Sequence, residues 1–141
     1  TGSLRRSTMI TPEVTMTTRP HTFVPPANLA VLRGDVVSTP TRRVLPSGAV
    51  VVQFDLRTES VDGSNRRVSA PISWSDPSAA ALRPVVADAE ILVVGSVRRR
   101  FFRVGGATQS RTEVVAEVVV PTRRRARVQA VLADLTDRLA C

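Results

Sequence analysis

From Asn28 to Pro121 the sequence is a succession of short apolar segments, each bounded by Gly, Pro, Asn, Asp or Ser, and this punctuation predicts strands rather than helices. The clearest segment is Val50 to Thr58. Val52, Phe54 and Leu56 alternate there with Gln53, Asp55 and Arg57, the period of a strand with one buried and one wet face. Leu29 to Val37 is a strand interrupted at Gly34, where a bulge or sharp coil is expected. Thr39 and Pro40 make a turn, Thr41 to Leu45 a short basic strand, and Pro46-Ser47-Gly48 a tight turn into the alternating segment.

Asp62-Gly63-Ser64 marks the next loop, and Arg66 to Trp74 a third long strand in which Pro71 removes a ladder donor and demands an edge or a bulge. Ser75-Asp76-Pro77 reads as a helix start leading into Ser78 to Leu82, and Pro84 ends that helix. Glu90 to Arg103 is a fourth strand, with Ile91, Val93 and Val97 on one face and Arg98, Arg100 and Phe102 on the other. Gly105-Gly106 turns it into a fifth, Arg111 to Val120. Three strands, a short helix and two strands form the pattern of an all-β OB-fold, a five-stranded Greek-key barrel with its helix between strands three and four.

The flanks differ from this barrel, assigned to residues 28–121. Residues 1–27 are rich in Thr and Pro, lack a period and are expected to form a flexible arm, from which Val14 to Met16 or Phe23 and Val24 are able to dock as an extra edge strand. Residues 122–141 predict an amphipathic helix with Val128, Val131, Leu132, Leu135 and Leu139 on one face. Such a stripe needs a partner, either a second copy or another protein. Arg123, Arg124, Arg125 and Arg127 fall in its first turns, where the helix dipole disfavours cations by roughly 0.3 to 1 kcal/mol each.

Charge narrows the function. The 141 residues hold 20 basic against 12 acidic side chains, a net charge of +8, and every basic residue is Arg. A polyanion is the indicated partner, because the guanidinium fork grips phosphate bidentately and stacks on bases. A GC-rich codon bias accounts for Arg in place of Lys, but not for the positive surplus. The single Cys, Cys141, excludes an internal disulfide, and His21 alone makes no metal cluster. No run approaches the roughly 20 apolar residues of a membrane span. No P-loop, dinucleotide fingerprint, H-E-x-x-H or C-x-x-C pattern occurs, so a non-enzyme without cofactor or metal is expected. Asp55, Glu59 and Asp62 read as neutralising partners of nearby arginines. No secretory pattern follows Thr1 to Ser3, and a cytoplasmic, nucleoid-associated location is expected.

Several stretches resemble bacterial single-stranded DNA-binding proteins of the SSB type. "NLAVLRGDV" is similar to that family's opening strand, and "PTRRVLPSGAVVVQFDLRT" to its basic hairpin and following strand. "AEILVVGSVRRRFF" resembles its arginine-alternating strand ending in an aromatic, and "RTEVVAEVVV" its last strand; together these cover roughly two-thirds of the chain. The resemblance implies a divergent paralogue that binds single-stranded DNA in replication, recombination or repair, and that assembles as a homodimer or homotetramer.

A sequence-tolerant binder of this kind combines a positive groove with flat side chains for bases. Arg42, Arg43, Arg57, Arg66, Arg67, Arg98, Arg100 and Arg103 are the expected phosphate contacts, and Phe102 the expected stacking ring. Trp74 reads equally as a stacking platform or a packed lid, Phe101 as core and Phe54 as core. Aromatics make up only 4% of the chain, and Val44, Ser60 and Val61 stand where the family carries bulky stackers, which predicts weaker binding. The ending "DLTDRLAC" lacks the family's acidic, Phe-tipped tail. Two alternatives follow: RNA as the polynucleotide, or an OB-fold assembly module that docks partners on the C-terminal helix and binds little or no nucleic acid.

Overall fold

The computed structural model describes residues 27–60, 62–64 and 66–140. The expected arm, except for its last residue, and the positions of His21, Val61 and Cys141 lie outside the described residues. In chain order the elements are β1 (Ala30–Val36), β2 (Thr41–Val44), β3 (Val50–Glu59), β4 (Arg67–Ser75), α1 (Ala79–Leu82), β5 (Glu90–Val104), β6 (Ala107–Pro121) and α2 (Arg125–Ala140).

The sheet runs β1-β5-β6-β4-β3-β2, and β1 pairs again with β3 through Asp35 with Arg57 and Val36 with Leu56. This second pairing closes β1, β5, β6, β4 and β3 into a five-stranded barrel of the OB type, with α1 between β4 and β5. The short basic strand β2 stays outside the closure and, among the described residues, pairs only with β3. Neighbours are antiparallel except β4 and β6, which run parallel at Ile72 to Trp74. Pro71 precedes that contact by one residue, so its missing N–H falls where β4, among the described residues, has a neighbour on one side alone.

The alternation in β3 delivers Val52, Phe54 and Leu56 to the core, where they meet Val36, Ile72, Ile91, Val93, Val114 and Ala116. Trp74 belongs to the same cluster at 6% exposure, and Ala81 and Leu82 of α1 pack against that cluster. The packed-lid alternative is therefore the observed one. Its ring is not open to bases.

Two glycines are required by close approach. At Gly34, β1 lies against both β5 and β3, and a Cβ would stand 2.0 Å from the Arg57 carbonyl oxygen. The expected break is absent: β1 runs through Gly34, and the glycine is there to let two strands meet. At Gly95 a Cβ would stand 1.9 Å from the Val115 carbonyl oxygen. Here the β5–β6 register shifts, with Val94 opposite Val118 and Gly95 opposite Ala116, which leaves Glu117 as the extra residue.

Three further expectations are corrected. Helix α1 is capped by Ser78, whose hydroxyl accepts from the Ala81 N–H at 3.1 Å, and not by Ser75 or Asp76. Asp76 instead takes the Val50 N–H at 2.8 Å and ties the start of β3 to the end of β4. β6 begins at Ala107, four residues earlier than its apolar pattern predicts, because hairpin pairing with β5 orders the polar stretch. The stripe on α2 is already partly occupied: Leu135 is buried, and Val128 and Val131 half-buried, against Leu92, Val94, Val118 and Leu29 on the outside of the barrel. Leu132 and Leu139 remain exposed. Burial of β5 on both faces, by the core and by α2, explains its continuous apolar run from Ile91 to Val94.

Candidate functional site

The basic hairpin arises because Gly48, at φ 91°, supplies the left-handed turn between β2 and β3. Leu45 and Ala49 close that turn by a backbone hydrogen bond of 2.8 Å. In the resulting register Arg43 faces Val51, and Thr41 faces Gln53. Strand alternation sends all four to the outside of the barrel, opposite Val52 and Phe54. Ser73 and Ser75 of β4 pair with Gln53 and Val51 and share that outer face.

β5 and β6 continue past the barrel as a two-stranded arm that turns at Gly105 and Gly106. The arm overhangs the outer face. Arg98 pairs with Glu113, Arg100 with Arg111 and Phe102 with Gln109 across it. Together the arm and the barrel wall enclose an open cleft of about 540 Å³. Arg43 lines it from the hairpin, Arg98, Arg99, Arg100 and Phe101 from the arm, and Gln53, Ser73 and Ser75 from the floor.

Four arginines and the exposed Phe101 thus border one concavity, whose floor combines Gln53, Ser73 and Ser75 with the apolar Leu45 and Val51. Arg98 donates through Nε (3.2 Å) and Nη2 (2.5 Å) to Glu113 Oε2, and Arg100 Nε lies 4.0 Å from the same oxygen. The Arg100 guanidinium also stands 5.9 Å from the Phe102 ring centroid, a cation–π distance. Beside the first cleft, a second of about 230 Å³ lies over Gln53, Asp55 and Pro71 and is bordered by Arg111 and Glu113. Arg111 and Asp55 pair across it at 3.8 Å.

The expected contact residues are divided among several places. Arg43, Arg98 and Arg100 converge on the main cleft, and Phe102 adjoins it through Arg100. Arg42 points to the other side of β2, into a depression next to Asp76 and α1. Arg57 and Arg67 line a separate cleft with Arg33, where Asp35, Glu59 and Glu90 balance the charge. Arg103 donates to the Gly106 carbonyl at the tip of the arm, 3.0 Å away. Arg66 is exposed at the start of β4, its carbonyl bonded to the Ser60 N–H.

Phe101 corrects the expectation that placed it in the core: it is 65% exposed and borders the cleft. Alternation implies a buried face only where a core lies behind the strand. The arm has none, so odd and even positions are both open, and Arg99 joins the cleft for the same reason. Both residues stand in the run "RRRFF", and the signal able to find them was the hairpin length, since Gly105-Gly106 leaves the strand too long for the barrel.

Among the described residues no group of His, Cys, Asp and Glu is arranged to hold a metal ion, and no helix is long and apolar enough to cross a membrane. Compared with known proteins, the chain matches no family model and no curated relative.

Proposed function

We propose that the chain binds single-stranded DNA with little sequence preference, in the cleft between the barrel wall and the β5–β6 arm. The observation that carries this reading is the convergence of Arg43, Arg98, Arg99 and Arg100 with the exposed Phe101 on one open concavity. Guanidinium groups follow a phosphate backbone, and an aromatic face accepts any base, each stack contributing about 1 to 3 kcal/mol. Serine and glutamine on the floor supply hydrogen bonds without a fixed base-reading pattern. Few rings border the cleft, so most of the affinity is electrostatic, and the resemblance to the SSB type supports service in replication, recombination or repair, at the nucleoid in the cytoplasm.

Fluorescence anisotropy with labelled oligo-dT tests the proposal. Binding at low salt is expected, weakening as salt rises with a logarithmic slope of about −0.7 per phosphate engaged. Absence of binding at low salt overturns it. Competition by matched RNA separates DNA from RNA preference, since only contacts to the 2′-hydroxyl distinguish the two.

A second reading, self-association, is favoured by the edge position of β2. Among the described residues this strand is paired on one side, to β3, and Val44 is exposed on it, so a second copy would complete its ladder. A dimer or tetramer by light scattering is the expected result. A concentration-independent monomer excludes it.

A further inference from the structure

A carboxylate close behind a cleft that grips phosphates works against its ligand. Glu113 borders the adjoining smaller cleft and is bonded to Arg98 of the first, and it is 3% exposed, so its charge is both repulsive to a polyanion and costly to bury. It also lies outside the apolar core, on the outward face of β6 opposite Arg98. We infer that Glu113 is a positioning residue that holds Arg98 and Arg100 in the geometry that receives DNA phosphates. This inference rests on the proposal that the cleft takes single-stranded DNA.

The side-chain geometry describes how it acts. One oxygen of Glu113 takes both Nε and Nη2 of Arg98, gripping a single edge of the planar guanidinium. The fork's other edge is turned away from the carboxylate, on a side chain that is 51% exposed. Arg100 Nε is buried 4.0 Å from that same oxygen and has no hydrogen-bond partner among the described residues. Its guanidinium carbon lies over Phe102. The inner edges of two arginines are thus gathered on one buried anion, and their outer edges are left for the ligand. A free arginine loses much rotamer freedom when it engages phosphate, and anchoring it beforehand removes part of that loss.

The full-length chain and its Glu113→Gln variant, compared for oligo-dT affinity across salt and for thermal stability, test the role. Glu113→Gln nearly preserves shape while raising the net charge by one. A field effect alone makes it bind DNA more tightly with an equal or steeper salt slope, and a merely structural role lowers Tm with the slope unchanged. Positioning predicts the opposite pairing: affinity about tenfold weaker, with a slope shallower by about 0.7, because one phosphate fewer is engaged despite the added positive charge. Arg98→Lys, which keeps the charge but not the fork, is expected to show the same shallower slope, and the double variant no additional weakening. Tighter binding or an unchanged slope in Glu113→Gln overturns the inference, and if that variant does not fold, an unchanged slope in Arg98→Lys does so. Failure of the wild-type chain to bind oligo-dT overturns the function itself, and the role of Glu113 falls with it.

Discussion

At the residue scale, Trp74 takes the packed one of the two roles that sequence left open, and Phe101 leaves the core that sequence suggests for it. Trp74 falls within an alternating strand, and its parity with Ile72 turns it inward. Phe101 shares the parity of core positions but stands beyond the barrel. Their substitutions therefore have opposite signatures. Phe101→Ala is expected to weaken oligo-dT binding by about 1 to 3 kcal/mol, the value of one stack, with little change in Tm. Trp74→Ala is expected to cost about 3 to 5 kcal/mol of stability, read by denaturant unfolding. A loop carboxylate adds a pH effect. Ser64 and Ser60 hydrogen bonds hold Asp62 at about 2, below its ordinary 3.8. A lowered folded-state value means that these bonds favour folding above the ordinary range, and that their contribution disappears as pH falls from about 4 through 2. Asp62→Asn is expected to flatten that segment of the stability profile, as followed by acid titration of Tm.

At the scale of elements, α2 shows a helix set against its own local preferences. Arg124 occupies its N-cap position, with its carbonyl accepting the Val128 N–H at 3.0 Å, and the first turn holds no acidic residue. Arginine cannot cap the free N–H groups, and its charge opposes the dipole. Arg124→Ser is therefore expected to raise stability by about 1 kcal/mol, measurable by thermal melting. What holds α2 in place is tertiary: Leu135 seated on Leu92 and Val94. Leu135→Ala is expected to cost about 2 to 5 kcal/mol and to release the helix first, seen as faster amide exchange at 125–140 than in the barrel. The apolar stripe was legible from its spacing, whereas its occupant was not, because the period of a helix says which face needs cover but not what covers it.

On the scale of the whole molecule, closure depends on the short β1–β3 pairing, through which β1 borders both β5 and β3. Gly34 permits that approach, and Gly34→Ala is expected to destabilise the barrel by forcing β1 off the Arg57 carbonyl, lowering Tm without touching the cleft. The succession of strands along the chain, the helix between β4 and β5 and the turn at Gly105-Gly106 were readable beforehand, since each rests on a local rule of alternation or turn chemistry. By itself the sequence determined the all-β class, the positive surplus and the inward set of β3, properties that depend on period and composition. Only the tertiary structure decided which arginines meet. Arg43 and Arg98 are 55 positions apart by their numbering and share a cleft, while the adjacent Arg42 faces the opposite way. Convergence of that kind is set by sheet register and by how far the arm overhangs the wall, and neither is written in any local stretch of the chain.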